Sequence, residues 1–204
     1  MEIYLVRHGE TGGNLARRHQ SINTSLTAEG KRQITETANT LKQLKPTHLL
    51  TSSVLRSVES AQIIGLACNL VPQTELVLRE LDRPDFLHGH FHKSIGSLFF
   101  YARWYFGLTN HHKHGGESYK NLRDRIGEAQ SMLAKLPNDA KVVVVSHSVF
   151  INFFIAHACQ KNRLSPWRAA HRFLKVLSIK NGSITHIVYR SDSLPDTCPW
   201  QVSK

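Results

Sequence analysis

The stretch Lys141-Val142-Val143-Val144-Val145-Ser146-His147-Ser148 decides the fold. Four β-branched residues in a row, with no polar alternation, describe a strand covered on both faces, as in a parallel sheet held between helices. The strand ends on Ser146-His147-Ser148, so polar side chains arrive at its carboxyl end, and a helix is expected from about Val149 to Ala158. Ile3 to Val6 repeats the pattern and stops at Arg7-His8-Gly9; His48 to Thr51 reads as another short strand. Thr27 opens a helix with Ile34, Ala38, Leu41 and Leu44 at helical spacing, closed by Lys42, Lys45 and Pro46. Ser53 is expected to cap a helix running to about Cys68, with Arg56 in its first turn.

Thr74 to Leu78 reads as a third strand, and Leu122, Ile126, Ala129, Leu133 and Leu136 mark a helix ended by Pro137-Asn138-Asp139. Phe173 to Ile179 and Ser183 to Tyr189 are expected to form a hairpin around Asn181-Gly182, with an irregular tail from Ser191. Strands and helices therefore alternate, which predicts an α/β fold: a three-layer α/β/α sandwich with a mostly parallel central sheet. One domain spanning residues 1–204 is expected, with an insertion at about 82–116 acting as a partly helical lid. Residues 86–106 of that insertion carry eight of the 17 aromatics, and 88–114 carry six of the 13 histidines. Phe99, Phe100, Tyr101, Trp104, Tyr105 and Phe106 read as its packing onto the main body, with a hydrophobic wall beside the pocket as the alternative. His88, His90, His92, His111, His112 and His114 read as surface decoration ahead of metal ligands, so no metal is expected.

With 204 residues and 41% hydrophobic content the chain can bury a substantial core, which excludes disorder and a rod. Its 26 Lys and Arg against 15 Asp and Glu give +11, a bias toward anionic ligands. The basic residues are dispersed, so nucleic acid is not the expected partner. The most apolar window, Val142 to Cys159, is interrupted by Ser146, His147, Ser148, Asn152 and His157, so neither a membrane span nor a membrane partner is expected. Cys68, Cys159 and Cys198 read as free thiols in a reducing compartment, and with no secretory pattern at the start of the chain the expected location is cytoplasmic.

Arg7-His8, Arg56 and His147 each follow a strand, and in a parallel-type sheet such positions converge on one pocket, where helix amino termini add unpaired N–H groups. Two arginines and two histidines around one point repel each other unless a dianion sits among them, and a phosphoryl group is the natural occupant.

Leu5-Val6-Arg7-His8-Gly9-Glu10-Thr11 resembles the signature of the histidine phosphatase superfamily, the phosphoglycerate mutase-like fold. The resemblance extends in order through Asn14, Leu26-Thr27-Ala28-Glu29-Gly30, Ser52-Ser53 with Arg56, Glu80, Gly116-Glu117-Ser118 and Ser146-His147. It implies that His8 is a nucleophile that becomes phosphorylated, that Arg7, Arg56 and His147 bind phosphoryl oxygens with Asn14 in support, and that Glu80 is the proton donor. His147 is better charged in this scheme, Ser148 is a further candidate substrate contact, and the arginines supply the electrostatics that a metal supplies elsewhere, so no cofactor is required. Glu75, Asp82 and Asp85 are alternatives for the acid, and Glu117 and Ser118 read first as a helix start. Two departures stand out: Gly12-Gly13 before Asn14, which would widen the pocket, and Ser148, which would tighten a turn.

The implied reaction is metal-independent hydrolysis of a small-molecule phosphate monoester, with a phosphoprotein as a further candidate substrate. The rivals are a mutase, a non-catalytic phospho-ligand binding module and a nucleic-acid binder.

Overall fold

The computed structural model describes residues 1–92, 94–108, 115–160, 162–176, 179–192 and 197–203. Its centre is a six-stranded sheet in the order β3-β2-β4-β1-β5-β6, built from β1 (Glu2–Arg7), β2 (His48–Thr51), β3 (Gln73–Thr74), β4 (Lys141–Ser146), β5 (Ile184–Tyr189) and β6 (Trp200–Val202). Strands β1 to β4 pair in parallel, while β5 joins β1, and β6 joins β5, antiparallel.

Side chains alternate across a strand, so each apolar run feeds two cores. Ile3, Leu5, Leu50, Val142 and Val144 face one, with α4 (Ile95–Phe106), α5 (Tyr119–Leu133) and α6 (Ser148–Ala156). Tyr4, Val6, Leu49, Val143 and Val145 face the other, with α2 (Ala28–Gln43) and α3 (Leu55–Cys68). The expected three layers are therefore present. A short α1 (Gly12–Leu15) follows β1, and α7 (Pro166–Val176) packs on α6.

Register places the polar strand ends. Arg7 pairs with Ser146 and Thr51 with Val145, so the residues that leave β1, β2 and β4 emerge side by side. The glycine after His8 is a packing requirement, since a Cβ on Gly9 would lie 2.4 Å from the Gly30 carbonyl oxygen at the start of α2.

Several expectations are corrected. The Phe173–Ile179 strand does not form: residues 173–176 end α7, residues 177–178 lie outside the described set, and β5 pairs with β1 and β6 instead. Thr74–Leu78 is mostly a 3₁₀ turn (Leu76–Leu78) after a two-residue strand. The tail is not wholly irregular, because Trp200–Val202 adds a sheet edge. Helix α3 starts after Val54, and Ser52, two residues before it, accepts the Val54 N–H at 3.2 Å in place of a Ser53 cap.

Cys159 and Cys198, expected as free thiols, form a disulfide with Cα atoms 5.4 Å apart; Cys68 remains a thiol. Spacing along the chain did not suggest the pair because 39 residues separate its halves. With it goes the support that free thiols lent to a reducing compartment.

Of the aromatic set in the insertion, Phe100, Trp104 and Tyr105 enter the core as expected, whereas Phe99 and Phe106 stay exposed. No helix among the described residues is long and apolar enough to cross a membrane.

The disulfide closes a long loop, so Cys198→Ser should lower the free energy of unfolding by about 2–4 kcal/mol. Urea denaturation with and without reductant checks this; identical midpoints would mean that the bond contributes nothing.

Candidate active site

His8 and His147 leave neighbouring parallel strands at the same level, and their ring centroids lie 5.1 Å apart, both rings buried. His8 Nδ1 sits 2.7 Å from the Gly9 carbonyl oxygen. A carbonyl only accepts, so Nδ1 carries the proton and Nε2 carries the lone pair. Arg56 Nε–H donates to that Nε2 at 3.2 Å, and its Nη1 donates to the Ser21 carbonyl. Arg7 donates through Nη1 to the Ile179 carbonyl, while its buried Nε has no partner among the described residues. Neither guanidinium forms a salt bridge among the described residues; Glu80 is the acidic group whose charge acts on both.

Electrostatics follow from this crowding. Burial, then Arg56 and Arg7, hold the His8 imidazole well below its ordinary range, so it is neutral at physiological pH. Burial also depresses His147, with Arg56, His8 and Arg7 adding to it, so this imidazole too is neutral in the free pocket. Burial lowers Arg56 to about 10 despite the opposing pull of Glu80.

His147 precedes α6 but does not cap it, because its Nε2 meets the hydroxyls of Ser52 at 2.8 Å and Ser57 at 3.2 Å. Its buried Nδ1 has no partner among the described residues. The cap comes from Glu80 instead, whose carboxylate accepts the N–H groups of Phe150 at 3.2 Å and Val149 at 3.4 Å, together with its neighbour Leu81 at 2.9 Å. This brings Glu80 to the pocket. Of its rivals, Asp82 is exposed and Asp85 lies beside His88 on the surface, while Glu75 is half-buried beside the end of β2, its N–H donating to the Thr51 carbonyl.

Asn14 is tied to its own turn, since its Oδ1 accepts from the Thr11 N–H and hydroxyl and from Asn181 Nδ2. Ser148 is half-buried at the first turn of α6. Of the Gly12-Gly13 pair, a Cβ on Gly13 would lie 2.1 Å from Gln20 Cγ, so that space is taken, whereas one on Gly12 would meet nothing within 4 Å. Glu117 is drawn into a buried ion pair with Arg125, and Ser118 caps α5.

Four contributors were not anticipated. Ser57 lies one residue after Arg56, and Asn181, read only as a turn, donates to the His8 carbonyl at 3.0 Å. Arg125 donates to the carbonyls of Val77, Arg79 and Glu80, fixing the segment after the 3₁₀ turn that carries Glu80. Arg83 comes from the insertion, donates to the Tyr101 hydroxyl at 2.8 Å, and adds its charge to those acting on Arg56 and His147. None has a local sequence signal beyond being polar.

The insertion is stapled to the loop that holds Arg56. His19 N–H donates to the His90 carbonyl, Gly89 N–H to His19, and His92 N–H to Arg17, while His92 packs edge-on against His19 at 4.7 Å. His88, His90 and His92 form no group of three metal-binding side chains among the described residues; His111, His112 and His114 lie outside them.

The fold and pocket define a class: an α/β protein with two buried imidazoles and two guanidiniums gathered at the carboxyl ends of parallel strands. The chain belongs to the histidine phosphatase superfamily, branch 1, whose family model matches residues 3–194. It is 31% identical over 195 residues to a probable phosphoglycerate mutase of Shigella boydii, covering 93% of this chain and 86% of the relative. A probable phosphoglycerate mutase of Salmonella paratyphi C is 32% identical over 197 residues with the same coverage. Among solved structures, a mycobacterial glucosyl-3-phosphoglycerate phosphatase in complex with VO3 superposes with a TM-score of 0.74 at 23% identity, covering 99% of this chain and 96% of that one. A phosphoserine phosphatase of Entamoeba histolytica in complex with phosphoserine gives 0.74 at 19%, covering 100% and 95%. These structures share the phosphoglycerate mutase-like fold.

The buried imidazoles make a pH prediction. A histidine depressed by folding leaves stability intact above the unfolded value and costs stability as pH falls, because the unfolded chain takes up the proton first. His19, lowered by burial from 6.5 to about 3, sets the window, and His8 and His147 act in the same direction. Urea midpoints should fall progressively between pH 6.5 and about 3; a flat profile there would contradict the assigned burial.

Proposed function

We propose that the protein is a metal-independent phosphatase that hydrolyses phosphate monoesters through a phosphohistidine at His8. The observation that carries this reading is the state of His8: Nδ1 is committed to the Gly9 carbonyl, so a neutral imidazole presents its Nε2 lone pair toward Arg56. Beside it, Arg7 Nε and His147 Nδ1 are buried without partners among the described residues, a pairing deficit that phosphoryl oxygens would fill.

In the first step Nε2 attacks phosphorus in line, the bond to the ester oxygen breaks, and Glu80 gives that oxygen a proton. Arg56 turns its N–H from Nε2 to the phosphoryl oxygens, and with Arg7 and His147 it offsets charge spread over them. A dianion reverses the field that depresses His147 and favours its protonation there. In the second step Glu80 takes a proton from water, the water oxygen attacks phosphorus, and the nitrogen–phosphorus bond breaks, releasing phosphate. Asn14, whose Oδ1 is held by its turn, supports the phosphoryl group through its Nδ2 donor, and Ser148 at the first turn of α6 is a further substrate contact.

Residues 1–204 act as one domain, with 82–116 as a lid whose staple to the 17–21 loop ties substrate entry to Arg56. A small phosphate ester is the substrate class. Phosphoglycerate mutase chemistry is the second reading, favoured by the names of the curated relatives.

His8→Ala should abolish turnover of a panel of phosphate esters assayed with EDTA, and trapping with a rapid acid-free quench should find the phosphoryl group on His8 of the unmodified protein. Substantial residual hydrolysis would defeat the covalent route. Glu80→Gln should slow alkyl phosphates by roughly 10²–10⁴ while sparing p-nitrophenyl phosphate, whose leaving group needs no proton. Equal losses on both would reassign the acid, and isomerisation of 3-phosphoglycerate outpacing phosphate release would favour the mutase.

A further inference from the structure

The net charge of this chain is localised. Residues 86–116 and 140–191 contain 11 of the 26 lysines and arginines and none of the 15 aspartates and glutamates, so the rest of the chain is balanced at 15 against 15. The two acid-free stretches meet in space. Tyr105 at the end of α4 donates its hydroxyl to the Leu164 carbonyl at 2.6 Å, and the Arg163 guanidinium lies over the Tyr105 ring at 5.6 Å.

At this junction α4 is apolar on both sides. One face puts Phe100, Trp104 and Tyr105 into the core, whereas the opposite face holds Ile95, Leu98, Phe99 and Phe106 in water at 87, 61, 64 and 57% exposure. Spacings of three, four and seven place these four on one outward stripe. Arg103 sits within the stripe, its guanidinium 5.7 Å from the Phe99 ring centroid, and exposed Leu108 continues it. On the neighbouring segment Trp167 is 82% exposed, with Arg163, Arg168 and Lys175 also in solvent. Exposed apolar surface of this kind, bordered by Arg103 and Arg163, is unfavourable in water unless something covers it.

We propose that the outward face of α4, with Arg103 and the Arg163 border, docks on the surface of an anionic lipid bilayer. The charge selects an anionic partner and disfavours a second copy, which would set Arg103 and Arg163 against their own kind. The apolar stripe selects lipid over nucleic acid, because phosphate backbones would leave Ile95, Leu98 and Phe106 uncovered. A single helix forms a convex ridge, which suits a fluid interface that needs no complementary groove, with apolar groups entering the acyl boundary and arginines at the headgroups. This revises the expectation of no membrane partner, which rested on the lack of a spanning segment. It stands independently of the catalytic reading.

Sedimentation of the full chain with phosphatidylcholine–phosphatidylglycerol vesicles at low salt tests it, with pure phosphatidylcholine vesicles as the second arm. The expected result is co-sedimentation with the anionic vesicles alone, weakened by salt. Paired Ile95→Ser and Phe99→Ser substitutions should reduce it at least about tenfold, and Arg103→Glu should reduce it as well. Circular dichroism melts confirm that the variants fold, which is expected because all three positions are exposed. No sedimentation with anionic vesicles, or an unchanged affinity in the paired variant, would overturn the proposal. So would a dimer by light scattering that the paired variant abolishes, or displacement from vesicles by duplex DNA or polyglutamate with the same dependence on Ile95 and Phe99.

Discussion

Two guanidiniums and two imidazoles share a largely buried space in which Glu80 is the carboxylate that opposes them, and the rest of the structure is organised around holding that arrangement. Taking such groups out of water costs free energy, and each makes the others more costly, which is why both imidazoles lie well below their ordinary range and Arg56 falls to about 10. The set persists because each member is fixed from outside the pocket. His8 is held by the Gly9 carbonyl, His147 by Ser52 and Ser57, Arg56 by the Ser21 carbonyl and Arg7 by Ile179. Among the described residues, Arg7 Nε and His147 Nδ1 remain unpaired.

A second level of support comes from elements that never touch the pocket. Arg125 and Glu117 form a buried pair that gathers the carbonyls of Val77, Arg79 and Glu80, and Glu80 then caps α6 directly after His147. One interaction therefore orients the acid and also closes the helix that presents the second imidazole. The insertion is tied in differently, by backbone pairing between 17–19 and 89–92, so the segment with the most unusual composition is coupled to the loop that holds Arg56. On its other side the same insertion exposes the apolar stripe of α4, and one short segment thus serves both the pocket and the surface.

Strands β1, β2 and β4, the helices between them and the convergence of Arg7, His8, Arg56 and His147 were legible from local pattern. An unbroken β-branched run has few alternatives, and a capped amphipathic helix is equally constrained. The errors cluster where sequence is ambiguous over short distances. Phe173 to Val176 is apolar enough for a strand, but it continues the helix begun at Pro166, and the neighbour expected to pair with it instead joins the sheet between β1 and β6.

By itself, then, the order of residues determined the layers and the polar ends of the strands, because each depends on neighbours within a few turns. Tertiary structure decided which nitrogen of each imidazole is occupied, that Glu80 among the nearby acids reaches the pocket, that Cys159 meets Cys198, and which face of α4 lies in water. Those outcomes depend on register and on contacts between residues far apart in the chain, and no local periodicity encodes either.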